Sequence, residues 1–464
     1  MTEKYWQFAG LWDGGKWIEP AFVTVKKDGK ISAIANTAPP EVVIHESVAG
    51  WAIPGMPNAH SHAFQFAMAG MTESVTPDRR GDDFWTWRNV MYTLAGKVNP
   101  DQFQAIAAFT YAEMLRFGIT SVAEFHYLHH DVNGVPFNNP AEMCERLSAA
   151  ALETGIALTI IPVLFEQNTF DQPAIFEQKR FISKDFDSFI QISERAKNLE
   201  KSDSRIRLGI GAHSLRAARP ENIKRIYNIA TPQKPFHMHI AEQTQEVEQC
   251  CKHLGIRPVE WVLRNLDLDA RCHLIHATHL SPDEIAGLAR SEATVVLCPS
   301  TEANLGDGFF PLSEYWRLGG RFSIGTDSHV SLNPREDLRW LDYSQRLLAQ
   351  KRNVLATDKA KDLPIESGEM LWREAWERGN LAVGNSVSNL DVGAYFDAVV
   401  IDGRHPSLKF GEPSTRMSRI VFGCNDLPFF RTIVSGKTVV ENGKHCSHDR
   451  INEKYCRVIA ALRK

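Results

Sequence analysis

The sequence lacks the features of a membrane or nucleic-acid-binding protein. It has no long run of like charge, and a formal net charge of -4 over 464 residues provides no basic surface for nucleic acid. No apolar stretch approaches the length of a transmembrane helix, and residues 1–6 lack the basic and apolar regions of a signal peptide. We therefore expect a soluble, cytoplasmic protein with neither nucleic-acid nor membrane partners.

Cysteine is also sparse, and its spacing excludes two kinds of site. The eight cysteines include no Cys-X-X-Cys pair, which argues against a zinc knuckle and against a redox pair. We expect structural thiols. The composition itself is that of a globular protein, 43% hydrophobic and 23% charged, and the chain is long enough for one large barrel and a smaller module.

Both ends of the chain show the alternation of apolar and polar residues that is typical of β-strands. Near the N-terminus, Phe22 to Val25 and Ile31 to Ile34 flank an Asp28-Gly29 turn, which predicts a hairpin. The pattern returns late in the chain, at Ala398 to Ile401, Arg419 to Phe422 and Thr432 to Val440. We expect the two ends, residues 1–53 and 393–464, to form one small β-sandwich domain.

Residues 54–392 show a different rhythm, in which short apolar runs are separated by amphipathic stretches such as Asp101 to Phe117. This is the βα pattern of a parallel barrel. Eight such runs are present, and they end near His62, Phe125, Phe165, His213, Ala241, His276, Cys298 and Asp327. Eight is the number that closes a barrel, so the sequence predicts a catalytic (β/α)₈ TIM-type barrel over residues 54–392.

The first run ends in His60-Ser61-His62. Residues i and i+2 of a strand face the same side, so both imidazoles can reach one metal ion at the mouth of a barrel. The pair alone is weak evidence, because 17 histidines in a chain of this length give roughly 0.6 such pairs by chance.

Three further strand ends strengthen the case for a metal site. The fifth run ends in His239 with Glu242 three residues later, the sixth ends in His276, and the eighth ends in Asp327. A buried carboxylate such as Asp327 needs a metal ion or a charged partner. His237 lies one pleat deeper than His239, and we interpret it as a hydrogen-bonded core residue.

These residues would meet at the face where barrel enzymes keep their active sites. The candidate ligands are three nitrogen donors and one oxygen donor: His60, His62, His239 and Asp327. Such a mixed set suits a borderline cation, and we predict one Zn²⁺ per chain, with Fe²⁺ or Mn²⁺ as alternatives.

The motifs resemble those of the formimidoylglutamate deiminases, a family of the metal-dependent amidohydrolases that belongs to the single-metal deaminase branch and acts in bacterial histidine breakdown. The similarity covers nearly the whole chain and is weakest in the terminal β domain. It rests on Pro54 to Gly70, Phe84 to Arg88, Ala123 to Tyr127, His213 to Ala217 and Ser300 to Gly308. Two positions differ from the usual pattern: Phe66 replaces an arginine and Ala59 replaces a leucine, and neither is a metal position.

The resemblance implies roles for individual residues. It implies the metal ligands named above, with Glu242 as proton carrier, His276 beside the reacting carbon, and Asp327 as both a ligand and a proton acceptor. It also implies a set of substrate-binding residues: Gln65, Arg88, Tyr127, His213 and Arg216. A substrate with two carboxylates wants guanidinium partners and neutral donors, which agrees with this set. We expect the segment from Trp85 to Arg88 to lie in a loop.

The function that the resemblance implies is hydrolysis of N-formimino-L-glutamate to N-formyl-L-glutamate and ammonia, carried out by a cytoplasmic homodimer. Two alternatives stay open. One is an aminohydrolase of a purine, pyrimidine or triazine amine, whose pocket should favour flat apolar walls over two arginines. The other is a catalytically inactive assembly protein of the same fold, which the complete ligand set argues against.

Overall fold

Two nine-stranded sheets organise the chain in the computed structural model. The structure describes residues 3–40, 43–75, 81–359, 364–385, 389–423 and 429–463. None of the described helices is both long and apolar enough to cross a membrane. All seven cysteines within the described residues are free thiols.

The first sheet begins with the N-terminal strands. They are β1 (Lys4–Trp12), β2 (Trp17–Ile18), β3 (Ala21–Val25), β4 (Ile31–Ala35) and β5 (Glu46–Pro54). β3 and β4 pair antiparallel, as the Asp28-Gly29 turn predicts, while β1 and β5 pair in parallel.

The second sheet is the barrel. Its strands are β6 (Met56–Ser61), β7 (Ile119–His126), β8 (Ala157–Leu164), β9 (Ile206–Leu208), β10 (Ile210–Ala212), β11 (Phe236–Ile240), β12 (Cys272–His276), β13 (Thr294–Leu297) and β14 (Arg321–Ile324). Neighbouring strands pair in parallel, and β9 and β10 both pair with β8, so the barrel has eight strand positions. Most of these strands are buried along their whole length, which explains why they read as continuous apolar runs.

The barrel closes between β14 and β6, next to the first histidines. The amides of Thr326 and Asp327 both donate to the His60 carbonyl at 3.0 Å, and the His62 amide donates to the Asp327 carbonyl at 3.1 Å. Gly325 permits this close approach, because a Cβ there would lie 2.7 Å from the Cβ of His60. The closure therefore brings the first and last ligand-bearing strands side by side.

The last strands return to the first sheet. They are β15 (Ala398–Ile401), β16 (Phe429–Val434), β17 (Lys437–Glu441) and β18 (Lys444–His445). The strand order is β18-β17-β16-β15-β5-β1-β3-β4, with β2 paired to β1. The sheet curls on itself. The amide of Phe396, just before β15, donates to the carbonyl of Gly29, which lies in the turn between β3 and β4, the last two strands in this order. The structure thus confirms the predicted β domain built from both chain ends, in which one continuous sheet surrounds a single core.

Helices cover the outside of the barrel. They are α1 (Phe84–Ala95), α2 (Pro100–Arg116), α3 (Glu142–Thr154), α4 (Phe186–Glu200), α5 (Pro220–Tyr227), α6 (Thr244–Leu254), α7 (Pro258–Asn265), α8 (Pro282–Arg290), α9 (Pro299–Leu305), α10 (Leu312–Arg317), α11 (Pro334–Ala349), α12 (Val354–Lys359), α13 (Ser367–Ala382), α14 (Pro406–Lys409), α15 (Arg416–Ser418) and α16 (His448–Leu462). Short 3₁₀ helices span Ala63–Met68, Phe176–Gln178 and Pro413–Thr415. The domain boundaries at 53/54 and 392/393 stay a prediction. The last helix, α16, packs on α2, where the rings of Tyr455 and Phe109 stack with 4.0 Å between their centroids.

One predicted strand is wrong. Residues Arg419–Gly423 form a π-helical turn. Ile420 and Val421 are adjacent and both fully buried, which the alternating faces of a half-buried strand do not allow. They pack with α11 and α13 on the barrel side of the molecule.

Candidate metal centre and active site

Four buried side chains converge where the barrel strands end. His60 is the next-to-last residue of β6 and His62 lies just beyond the strand, His239 lies near the end of β11, and Asp327 follows β14. Their donor atoms all lie within 4.8 Å of one another. The Nε2 atoms of His60 and His239 are 3.0 Å apart, and Asp327 Oδ1 is 3.3 Å from the Nε2 atoms of both His60 and His62.

The hydrogen bonds of the outer ring nitrogens set the tautomers. Nδ1 of His62 donates to the carbonyl of Phe125 at 2.9 Å, and Nδ1 of His239 donates to the carbonyl of His213 at 3.2 Å. A carbonyl only accepts, so in the neutral rings Nε2 carries the lone pair. This is the arrangement by which proteins orient metal-binding histidines.

Burial keeps the histidines neutral, and the facing histidines keep the aspartate charged. Desolvation lowers the pKa of His60 to about 3 and also lowers the pKa values of His62 and His239. Burial alone would raise the pKa of Asp327, but the facing His60 and His62 outweigh it and hold that pKa well below its usual range. The site is therefore a set of converging lone pairs with one negative charge.

The four side chains fit a metal ion. In the neutral ring of His239 the lone pair on Nε2 faces Nε2 of His60, 3.0 Å away, so a cation between the two atoms would have two nitrogen ligands. The donor separations of 3.0 to 3.3 Å match the edges of a tetrahedron of ligands at about 2.0 to 2.1 Å, which is roughly 3.3 Å. The described residues that line the cleft at this cluster include no lysine, so the residues present suit a single ion.

A second group lies beside the ligands and centres on His276. Its Nε2 is 3.6 Å from Glu242 Oε1 and 3.8 Å from Asp327 Oδ2, and its Nδ1 is 3.2 Å from Glu302 Oε1. Burial opposes a charge on this ring, but the surrounding carboxylates outweigh it and raise the pKa of His276 to about 10. Burial also raises the pKa of Glu242 to about 7. Glu242 and His276 thus form a buried pair of titratable groups with raised pKa values beside the candidate ligands.

The backbone is strained at these positions. His276 and Asp327 have φ angles of 69° and 44°, a region that side chains other than glycine rarely adopt. Such residues persist only where the surrounding structure holds them, and they concentrate at functional sites.

The five residues expected to bind substrate all line one cleft of about 500 Å³, together with His62, His239, Glu242 and Asp327. Nε2 of Gln65 donates to the hydroxyl of Tyr127 at 3.1 Å. The guanidinium groups of Arg88 and Arg216 lie 4.4 and 5.6 Å from the ring of Trp85. Their Nε atoms are buried without partners among the described residues, and burial lowers the pKa of Arg88 to about 10.

The placement of Arg88 corrects one expectation. The segment around Trp85 and Arg88 lies in α1, whereas the sequence suggested a loop. Asp83 begins the helix, because its carboxylate accepts from the amides of Trp85 and Thr86 in a capping box. The helix carries Arg88 into the cleft on a fixed backbone.

Sequence reasoning missed several buried carboxylates around this site. Glu302 holds His276 and accepts from the Cys298 amide, Glu246 accepts from the amides of Ala241 and Glu242, and Asp307 lies beside Glu242. The sequence position of Glu302 could have identified it, because it lies four residues after the end of the seventh apolar run.

The two departures from the family pattern lie away from the cleft lining. The Phe66 ring packs 5.7 Å from that of Phe109 and 6.1 Å from that of Tyr455 in α16. Ala59 is fully buried within β6. Phe66 therefore joins the barrel mouth to the last helix.

Comparisons with known proteins agree with this geometry. The model of the amidohydrolase family matches residues 51–439. The formimidoylglutamate deiminase of Pseudomonas aeruginosa is 41% identical over 448 residues, 96% of each chain. A crystal structure of an amidohydrolase from Brucella melitensis superposes with a TM-score of 0.91 at 36% identity, covering 99% of this chain and all of that one.

A more distant structure supports the fold alone. An adenosine deaminase from Xanthomonas campestris, solved with bound zinc, superposes with a TM-score of 0.79 at 19% identity, covering 100% of this chain and 99% of that one. The family match covers most of the sequence, and the predicted barrel carries the expected residues at its mouth. The chain belongs to the amidohydrolase family, and it is a hydrolase that acts on carbon–nitrogen bonds.

Proposed function

We propose that this protein hydrolyses N-formimino-L-glutamate to N-formyl-L-glutamate and ammonia, with one Zn²⁺ per chain. Nε2 of His60, His62 and His239 would hold the ion together with Oδ1 of Asp327. When bound, the ion supplies a Lewis acid and activates a water molecule near neutral pH. The relative from Pseudomonas aeruginosa, named for this activity, supports the proposal.

Asp327 has a second role in this scheme. Its Oδ1 faces the histidines, which leaves Oδ2 on the side of His276, 3.8 Å from Nε2. Oδ2 is therefore positioned to accept a proton from the attacking water. The low pKa of Asp327 keeps this oxygen unprotonated beforehand.

Glu242 and His276 then serve the departing nitrogen and the attacked carbon. With a pKa raised to about 7, Glu242 can carry a proton to the terminal nitrogen of the amidine. His276, held by Glu302, presents an N–H that stabilises the charge developing on the new oxygen. Overall, one amidinium and one water give one N-formyl group and one ammonium ion: a carbon–oxygen bond replaces the bond to the terminal nitrogen, and both water protons end on that nitrogen.

The single observation that carries the substrate assignment is the pair of arginines in the cleft. Neither Arg88 nor Arg216 forms an ion pair with a described carboxylate, and the Nε atom of each is buried without a hydrogen-bond partner. Buried guanidinium groups without a partner are costly, and two anionic groups on a ligand would satisfy them. Gln65, Tyr127 and His213 add neutral donors and acceptors to the same wall.

The test is ammonia release measured side by side from formiminoglutamate, formiminoaspartate and guanine. We expect rapid release from formiminoglutamate, slower release from the shorter acid, and none from guanine. Release from guanine without release from formiminoglutamate would overturn the proposal.

One observation favours the alternative of a ring-amine hydrolase. The cleft also has flat aromatic walls, formed by Phe84, Trp87, Tyr92, Tyr127 and Phe165. A heteroaromatic amine would stack on such walls but would leave both arginines unpaired. The same assay separates the two functions. A role in histidine degradation, a cytoplasmic location and a homodimer stay predictions.

A further inference from the structure

Asp307 is a buried carboxylate that the mechanism above does not use. It lies two residues after α9 and is only 4% exposed. Its Oδ1 accepts a hydrogen bond from Nε2 of Gln243, while Oδ2 is buried and has no partner within the described ranges. A buried carboxylate oxygen without a partner is costly, so it needs an explanation.

The carboxylate belongs to the catalytic group by position. One side-chain oxygen or nitrogen from each of Asp307, Glu242 and His276 lies within 4.8 Å of the other two. The other acids around His276 are already engaged: Glu302 Oε1 bonds to Nδ1 of His276 and to the Cys298 amide, and Asp327 faces two histidines. Asp307 therefore offers the free acceptor next to Glu242.

The charges of the site are separated in space. The two arginines lie against Trp85, whereas Glu242 and Asp307 lie against His276. Burial raises the pKa of Asp307 to about 9, and repulsion from the neighbouring Glu242 adds to the shift, so Asp307 is uncharged near neutral pH while no cation lies beside it. A cation placed between them would relieve that repulsion.

We propose that Asp307 is a specificity-determining residue that receives the cationic amidinium end of the substrate together with Glu242. The inference rests on the proposed deiminase function and extends it. The terminal nitrogen of an amidinium carries two N–H groups, and the two carboxylates supply one acceptor for each. Hydrolysis removes the terminal nitrogen as ammonium, so the product keeps no N–H groups for these two carboxylates, and the arrangement favours release of the product.

Two ligands that differ only at this end make the test direct. N-carbamimidoyl-L-glutamate is a cationic guanidine, and N-carbamoyl-L-glutamate is the matching neutral urea. Binding of both to metal-loaded protein is measured by calorimetry for the wild type and for Asp307→Asn, alongside metal content and melting temperature. We expect Asp307→Asn to weaken the cationic ligand about tenfold or more and the neutral ligand less than about threefold, with metal content unchanged.

A matched control separates substrate contact from positioning of the neighbouring chain. Gln243→Leu removes the hydrogen bond to Oδ1 but leaves the carboxylate, and it should change the affinity of either ligand less than about threefold. Asp337→Asn removes an equally buried carboxylate outside the cleft and should leave both affinities unchanged.

The outcomes distinguish the two proposals. A wild type that binds neither glutamate derivative would overturn the proposed function. A wild type that binds both, combined with an Asp307→Asn variant that loses both equally or neither, would overturn the assignment of Asp307 and leave the proposed function standing. The assignment of Asp307 would also be overturned if Asp307→Asn and Gln243→Leu weakened binding of the cationic ligand equally and spared the neutral one. The carboxylate would then act only through Gln243.

Discussion

The C-terminal mouth of the barrel and its lower interior both bury histidines, but in different surroundings. His239 and His237 lie two residues apart on β11 and face the same side. Nε2 of His239 faces His60 within the cluster that contains Asp327, whereas Nε2 of His237 donates to the Ala382 carbonyl at 3.0 Å. Below the mouth, the ring of His237 packs on the ring of His273, with 4.8 Å between the ring centroids. Converging lone pairs and a carboxylate thus mark the metal-binding layer.

Two buried aspartates show the same contrast. Asp327 faces histidines, which hold its pKa well below the usual range despite burial. Asp397 lies where the β domain meets the start of the barrel, and desolvation raises its pKa to about 6. Both side chains are buried, so burial alone does not identify a functional carboxylate. The groups that face the carboxylate distinguish Asp327 from Asp397.

The largest expected effect comes from removing a ligand at the mouth. His60→Ala and Asp327→Ala should each lose metal and activity together, because the remaining donors cannot complete the coordination. Elemental analysis of the wild type should give close to one transition-metal ion per chain. Two ions per chain, or full activity in metal-free protein, would contradict the single-ion site.

Removing the proton carrier should leave the metal in place. Glu242→Gln keeps the shape of the side chain but cannot shuttle a proton, so we expect turnover to fall by about 10²-fold or more with metal content unchanged. His276→Asn should behave similarly. Steady-state kinetics and metal analysis on the same preparations check this, and near-normal turnover in Glu242→Gln would assign the proton transfer to another group.

The barrel was predictable because most of its strands are buried from end to end and therefore appear as continuous apolar runs. Each of the eight predicted strand ends lies within three residues of an observed end. His60, His62, His239 and Asp327 could be grouped because strand ends of one parallel barrel share a face. Arg419 to Phe422 misled because a short apolar run can also be buried in a helical turn.

The residues that sequence reasoning missed lie after strand ends and act through tertiary contacts. Glu302 and His276 are 26 residues apart, and no local periodicity relates them. The same holds for Asp307, whose neighbours Gln243 and Glu242 come from another strand end. Arg88 was placed in a loop because its helix is short and rich in aromatic residues, which have modest helix propensity.

A smaller loss of activity is expected at the arginine end of the cleft. Arg216→Met keeps much of the side-chain volume but leaves a substrate carboxylate without its partner, which costs about 2 to 5 kcal/mol. We expect kcat/KM for formiminoglutamate to fall accordingly, and Arg88→Met to have an effect of the same kind. Normal kcat/KM in both variants, with a wild type that prefers an uncharged amidine, would reject the dicarboxylate substrate and leave the hydrolase assignment intact.

A smaller effect on turnover is expected below the mouth. His237→Leu removes a buried hydrogen bond to the Ala382 carbonyl, so unfolding should become easier by about 1 to 3 kcal/mol. Metal content and KM should stay within about twofold of the wild type, because this ring faces neither a ligand nor the cleft lining. Loss of metal in this variant would show that the two histidine layers are coupled.

The smallest effect on turnover, and a distinct effect on stability, is expected at Asp397. Its folded-state pKa of about 6 lies above the ordinary value of 3.8, so the protonated form is favoured in the folded protein. The stability that this group contributes is complete below about pH 3.8 and is lost as the pH rises through about 6. Asp397→Asn keeps an acceptor for the Ser435 amide, which donates to Oδ1 at 2.6 Å, but it cannot ionise. The unfolding free energy of the wild type relative to Asp397→Asn should therefore fall between pH 4 and pH 7, while turnover at pH 7 stays unchanged. Chemical denaturation of both proteins across this range measures the difference, and parallel curves would show that Asp397 is not desolvated as the structure indicates.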